Sequence, residues 1–248
     1  MTRLVVLAVV AACSSRTARD DAAAGPAPAS ADAAVMPPRD ATSIDASPAA
    51  GSALAIVDAP MAWSSKREEL TLAYRRRHSD AKATDLAIEP HVIVLHYTAG
   101  GSAKSTRAYF DNARIEASRP ELVRAGAVNV SAHFVVDRDG TIYRLQPETR
   151  FARHCIGLNH IAIGIENVGD DHKFPLTEAQ VVANAALVRE LASRFRITHL
   201  LGHYEVMGFR DHPYFVELDR GYRNDKPDPG EAFMRKVRAR VADLHLEP

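Results

Sequence analysis

Val92-Ile93-Val94-Leu95-His96 is four apolar residues closed by an imidazole. An apolar run of this length, with no alternation, reads as a strand buried on both faces. Tyr97-Thr98-Ala99-Gly100-Gly101 follows as a loop, and Ser102 to Ala113 reads as a helix. Ile161-Ala162-Ile163-Gly164-Ile165-Glu166 repeats the pattern: an apolar run that ends in an ionisable group, with Gly164 allowing close backbone approach. Ile197 to His203 gives it a third time.

The segments between these strands supply the other elements. Ala132 to Asp137 and Thr141 to Leu145, joined through Asp137-Arg138-Asp139-Gly140, form a hairpin with Gly140 placed for a positive φ. Thr177-Glu178-Ala179-Gln180 is a capping box opening a helix that runs to about Phe195. Its inward face carries Val181, Ala185, Val188, Ala192 and Phe195. A final helix spans about Gly230 to Leu244, and a first one Met61 to Arg77. Strands alternating with helices predict an α/β domain with a central mixed β-sheet flanked by helices.

The chain has 248 residues, 46% hydrophobic and 25% charged, with 31 Lys and Arg against 31 Asp and Glu. The lack of a basic excess argues against a nucleic-acid partner. Two cysteines make no disulfide framework. Arg3 followed by an apolar run from Leu4 to Ala12 has the form of a secretory signal, ending in Val10-Ala11-Ala12-Cys13. Small residues before a cysteine resemble a bacterial lipobox, so residues 1–13 are expected to be a lipoprotein signal with Cys13 lipidated. The alternative is an ordinary cleaved signal with Cys13 incidental. With Ser14 and Ser15 next, an anchor on the periplasmic side of an outer membrane is expected. Residues 14–60, rich in Ala, Pro, Ser and Asp, read as a disordered linker, and 61–248 as the folded domain.

The chemistry collects at strand ends, where ligand sites form in α/β sheets. His96, His133 and His203 end or begin core strands, and Lys226-Pro227-Asp228 lies beyond the last. One strand-end histidine alone is more often a structural hydrogen-bonding group. Zinc, however, takes three nitrogen or oxygen ligands at a catalytic site and keeps one position open. His96, His203 and Asp228 are the candidate ligands. Lys226 stands where a developing oxyanion needs a fixed positive charge. His212 is a rival ligand, but it falls in a loop. Cys155 beside His154 is read as a buried thiol, because sequence neighbours in an extended chain point apart.

His96-Tyr97-Thr98, Ser131-Ala132-His133-Phe134, Asp139-Gly140-Thr141, Gly164-Ile165-Glu166, Gly202-His203 and Lys226-Pro227-Asp228-Pro229-Gly230 occur in one order. Together they resemble the zinc N-acetylmuramoyl-L-alanine amidases and peptidoglycan recognition proteins, and within them the anhydro-muropeptide amidases. The resemblance covers about Pro90 to Phe233. It implies zinc ligands at His96, His203 and Asp228, a catalytic acid at Glu166, and oxyanion stabilisation by Lys226. It implies hydrolysis of the amide joining N-acetylmuramic acid to L-alanine in peptidoglycan or muropeptides. A monomer is expected, tethered to the membrane through the lipobox cysteine. A tyrosine that precedes the second histidine block in phage members is Ala132 here, which leaves the base role to Glu166. His133, His154 and Asn159 are expected to contact substrate. Arg153 belongs to the same groove-lining segment, with solvent-facing loop residues as the alternative. A non-catalytic muropeptide-binding module is the alternative function, and a peptidase acting on the stem peptide a third. Tyr204 to Asp225 separates His203 from Lys226 by more than in many relatives, and is expected to lie over the cleft.

Overall fold

A computed structural model describes residues 54–248. The expected signal, Cys13 and the linker up to residue 53 lie outside the described residues. Six strands form one mixed sheet in the order β1-β4-β3-β5-β2-β6. β2 (Val92–Tyr97) lies one strand in from the edge, pairing in parallel with β5 (Ala162–Asn167) on one side and with the edge strand β6 (His199–Gly202) on the other. β3 (Phe134–Val136) runs parallel to β5, and β4 (Ile142–Arg144) returns antiparallel to it through the Gly140 turn. The predicted central mixed sheet with flanking helices is the observed one.

The folded part starts earlier than residue 61. β1 (Ile56–Asp58) pairs in parallel with β4, residue for residue from Ile142 to Arg144. Its ties are mostly backbone bonds, continuing as Ala59 N–H to Arg144 O and Met61 N–H to Leu145 O. Backbone pairing asks little of side chains, so a three-residue edge strand leaves no mark in an Ala/Pro-rich segment.

Both faces of β2 are covered, as its unbroken apolar run requires. Ile93 and Leu95 join Ile163, Ile165 and Leu200 beneath α4 (Glu178–Arg194) and α5 (Glu231–Arg240), which contribute Val181, Leu187, Val188, Leu191, Met234 and Val237. Val92 and Val94 face the other way, packing with Leu158, Ala162, Leu201 and Val206. α4 begins at the expected capping box of Thr177 and Gln180. α2 (Ala103–Phe110), the helix expected after β2, packs Ala103 and Phe110 with Val135; the short α3 (Pro120–Ala125) was not expected from the sequence.

α1 spans Ser65–His78 and buries Arg67, Thr71, Tyr74 and His78. These have helical spacing but are mostly polar. The Arg67 guanidinium reaches the carbonyls of Phe110 and Asn112, and His78 reaches Ala125 O. The segment after β6 opens as a 3-10 helix, His203–Asp211. Its continuation is tied to neighbouring elements: Val216 N–H donates to Gly157 O, Leu218 N–H to His78 O, and Arg77 pairs with Asp219 at 2.9 Å.

Candidate metal centre and active site

Parallel register makes His96 and Glu166 direct neighbours at the ends of β2 and β5. Leu95 is paired with Gly202, so His203, the next residue, lies beside the same pair. Three chemically active groups thus meet at the C-terminal edge of three adjacent strands. Asp228 is brought back to them by the chain itself, where Tyr204 N–H donates to Asp228 O at 2.9 Å.

The side chains converge. His96 Nδ1 lies 2.9 Å from His203 Nδ1 and 3.2 Å from Asp228 Oδ2. His203 Nδ1 is 3.1 Å from that same oxygen. These are the three residues among the described ones that group as metal ligands. The triangle is slightly tighter than the ~3.3 Å between ligand atoms around a tetrahedral zinc.

Proton placement shows why a cation fits. His154 Nε2 lies 3.2 Å from Ala162 O, a carbonyl that only accepts, so that nitrogen carries the proton. His154 Nδ1, 3.1 Å from His96 Nε2, must then accept from it. His96 Nδ1 is left bare, facing a second imidazole nitrogen and a carboxylate oxygen. A single proton on His203 Nδ1 cannot serve both. A divalent ion satisfies all three, and His154 is the hydrogen-bonding partner that fixes the orientation of a ligating imidazole. Gly164 makes the arrangement possible: a Cβ there would fall 2.6 Å from the His154 ring.

Electrostatics follow the same layout. Burial, aided by His203, pushes the His96 imidazole down to about 4. Burial alone would raise the Asp228 carboxyl, but the facing imidazoles of His203 and His96 outweigh it and hold it well below the usual carboxylate range. Burial and then the Asp228 carboxylate push Glu166 up to about 8, against the pull of Lys226 and Arg119. Glu166 Oε2 is buried with no hydrogen-bond partner among the described residues. Burial also pushes the Cys155 thiol up, which suits an inert core group and not a nucleophile.

Three residues expected to touch substrate are placed otherwise. His133 is wholly buried and bonded at both ring nitrogens: Nδ1 accepts from Gly164 N–H at 3.0 Å, and Nε2 donates to Arg150 O at 2.8 Å. Asn159 is buried, its Oδ1 accepting the backbone N–H of His154 and Cys155, both at 2.9 Å. It shapes the loop that holds His154. His154 itself spends its two nitrogens on Ala162 and His96, so its place is behind the candidate ligand His96. Arg153 is a buried clamp on the carbonyls of Leu122, Gly126 and Val128. The rival His212 stacks on Phe209 at 4.1 Å and lies beside His199, outside the ligand group. The support from His154 to His96 was not identified from sequence. Its trace there is Gly164, two residues before Glu166, leaving room for a ring.

A family model described as N-acetylmuramoyl-L-alanine amidase matches residues 87–231. The endolysin of Escherichia phage T7 is 34% identical over 86 residues, 33% of this chain and 57% of the endolysin. The chain therefore spans little more than half the length of that relative. Peptidoglycan-recognition protein SC2 of Drosophila melanogaster is 27% identical over 132 residues, 52% of this chain and 71% of that protein. Among solved structures, the endolysin amidase LysCS from Clostridium intestinale aligns with a TM-score of 0.49 at 22% identity, covering 76% of this chain and 95% of that one. The family match takes in more than half of the sequence and every residue of the site, and the chain belongs to the N-acetylmuramoyl-L-alanine amidase family.

Proposed function

We propose that this protein is a zinc-dependent amidase that cleaves the bond between N-acetylmuramic acid and L-alanine in peptidoglycan or its muropeptide fragments. The observation that carries the reading is the convergence of three ligand atoms, with none of their partners able to satisfy them all, beside a buried Glu166 oxygen without a partner.

His96, His203 and Asp228 would hold the ion. Bound in such a site, zinc polarises a carbonyl oxygen and lowers the pKa of water toward about 7. Glu166 accepts the proton of the attacking water and returns it to the departing L-alanine amine. Its raised pKa suits both steps near neutral pH. Lys226, whose charge reaches both His96 and Glu166, stabilises the negative charge that builds on the carbonyl oxygen. His154 holds His96 in the tautomer that leaves Nδ1 free.

The sequence pattern before residue 61 completes the proposal: an exported protein, acylated at Cys13, tethered at the cell envelope within reach of the wall. A zinc-loaded sample incubated with a muropeptide, with products read by mass spectrometry, tests the activity. Release of a peptide beginning at L-alanine, absent with Glu166→Ala, is the expected result. Tight muropeptide binding with no cleavage would leave the recognition-module reading in its place.

A further inference from the structure

Two of the ligands, His203 and Asp228, are joined by a long excursion. It leaves the site as the 3-10 helix, travels to α1, and returns. Among the contacts it makes on the way are two with the loop that supports His96.

Phe215 lies on Gly157, whose φ is +80°, and a Cβ at that glycine would fall 2.3 Å from the phenyl ring. Val216 N–H donates to Gly157 O at 2.9 Å. Gly157 lies in the loop that Asn159 ties to the backbone of His154 and Cys155. His154 in turn meets His96 Nε2 at 3.1 Å. A continuous path runs from the excursion to the back of a ligand: Phe215, Gly157, Asn159, His154, His96.

The excursion is itself pinned at a second point. Glu217 and His78 form a pair at 2.8 Å, with side chains 1% and 3% exposed. Glu217 Oε1 also accepts Asp219 N–H, and the far nitrogen of His78 donates to Ala125 O. A buried ion pair of this kind is weak evidence for stability but a strong constraint on geometry. Here the constraint falls on the segment whose far end delivers Asp228.

We propose that residues 212–225 are a brace for the metal centre, holding His96 from behind through Phe215 and setting the course of the chain into Asp228. Phe215 is then a positioning residue for metal binding, remote from substrate. The inference rests on the reading of His96, His203 and Asp228 as metal ligands.

The test is zinc affinity of the metal-stripped full chain, measured against a competing chelator, with the visible spectrum of the cobalt-substituted protein as a second readout. Phe215→Ala is expected to weaken zinc binding about tenfold, the usual cost of disturbing the groups behind a ligand, and to shift the cobalt bands. Far-UV ellipticity stays near wild type, metal-free unfolding shows only the loss expected from truncating a part-buried ring, and Phe215→Leu restores most of the affinity. Glu217→Gln, which keeps the shape of the anchor, gives a smaller loss of the same kind and serves if Phe215→Ala does not fold. Wild-type affinity and spectrum in well-folded Phe215→Ala and Glu217→Gln would overturn the brace alone. Failure of the wild type to bind zinc would overturn the metal assignment, and the brace with it.

Discussion

His96 and His133 are both core histidines, 2% and 0% exposed, and burial pushes both imidazoles down to about 4. Neither burial nor basicity tells them apart. Their partners do. His133 spends both nitrogens on backbone groups of neighbouring segments, as a structural histidine should. His96 spends one on His154 and turns the other toward a second imidazole and a carboxylate. What singles out His96 as the candidate ligand is the ring nitrogen that the fold leaves free.

The contrast can be broken at either end. His96→Ala should lower zinc affinity on the order of a thousandfold, since one of three protein ligands carries several kcal/mol of a binding energy of about 10–16 kcal/mol. Hydrolysis should vanish with it while circular dichroism stays unchanged. Titration against a chelator checks this, and wild-type affinity would place the ion elsewhere. His133→Ala should do the reverse. It strands a buried N–H and a buried carbonyl and opens a cavity, so a loss of about 3 kcal/mol in unfolding free energy is expected, with zinc affinity preserved. A denaturant curve beside the same titration decides it.

Glu166→Gln and Lys226→Ala sharpen the comparison by separating chemistry from binding. Each should cost on the order of a hundredfold in kcat with zinc still held. If either variant loses the metal instead, its role is structural.

A further effect is one of pH. In the metal-free protein the Glu166 carboxyl is raised from 4.5 to about 8, so between those values the folded state keeps a proton that the unfolded state has released. Stability of the metal-free protein therefore falls as pH rises through that window, and is unaffected by this group below it. Glu166→Gln should gain on wild type from pH 5 to pH 8 in metal-free thermal melts. A constant difference across that range would mean that burial does not hold the proton on Glu166.

The parts of the fold legible in the sequence were those written in apolar side chains. β2, β5 and α4 follow from runs such as Val92 to Leu95 and from the Thr177 capping box. β1 left no such mark because backbone bonds hold most of it; the first helix was expected at Met61 to Arg77 and is Ser65–His78, although its inward stripe is Arg67, Thr71 and His78 beside a single tyrosine. At the site, residue type and strand-end position indicated His96, His203, Asp228 and Glu166, which the register brings together. The family resemblance gave His133 and Asn159 roles at the substrate. Spacing records which side chains lie near a strand end, but not whether backbone groups claim their polar atoms. That depends on the positions of Gly164, Arg150 and the 154–159 loop.

The most direct measurement is an X-ray data set on zinc-soaked crystals of the full chain, collected on both sides of the zinc absorption edge. The account predicts one dominant anomalous peak in contact with His96 Nδ1, His203 Nδ1 and Asp228 Oδ2, with Glu166 and Lys226 beside it and no peak at His133. A dominant peak elsewhere, such as at the His199 and His212 rings 5.0 Å apart, or no peak at the triad, would contradict it.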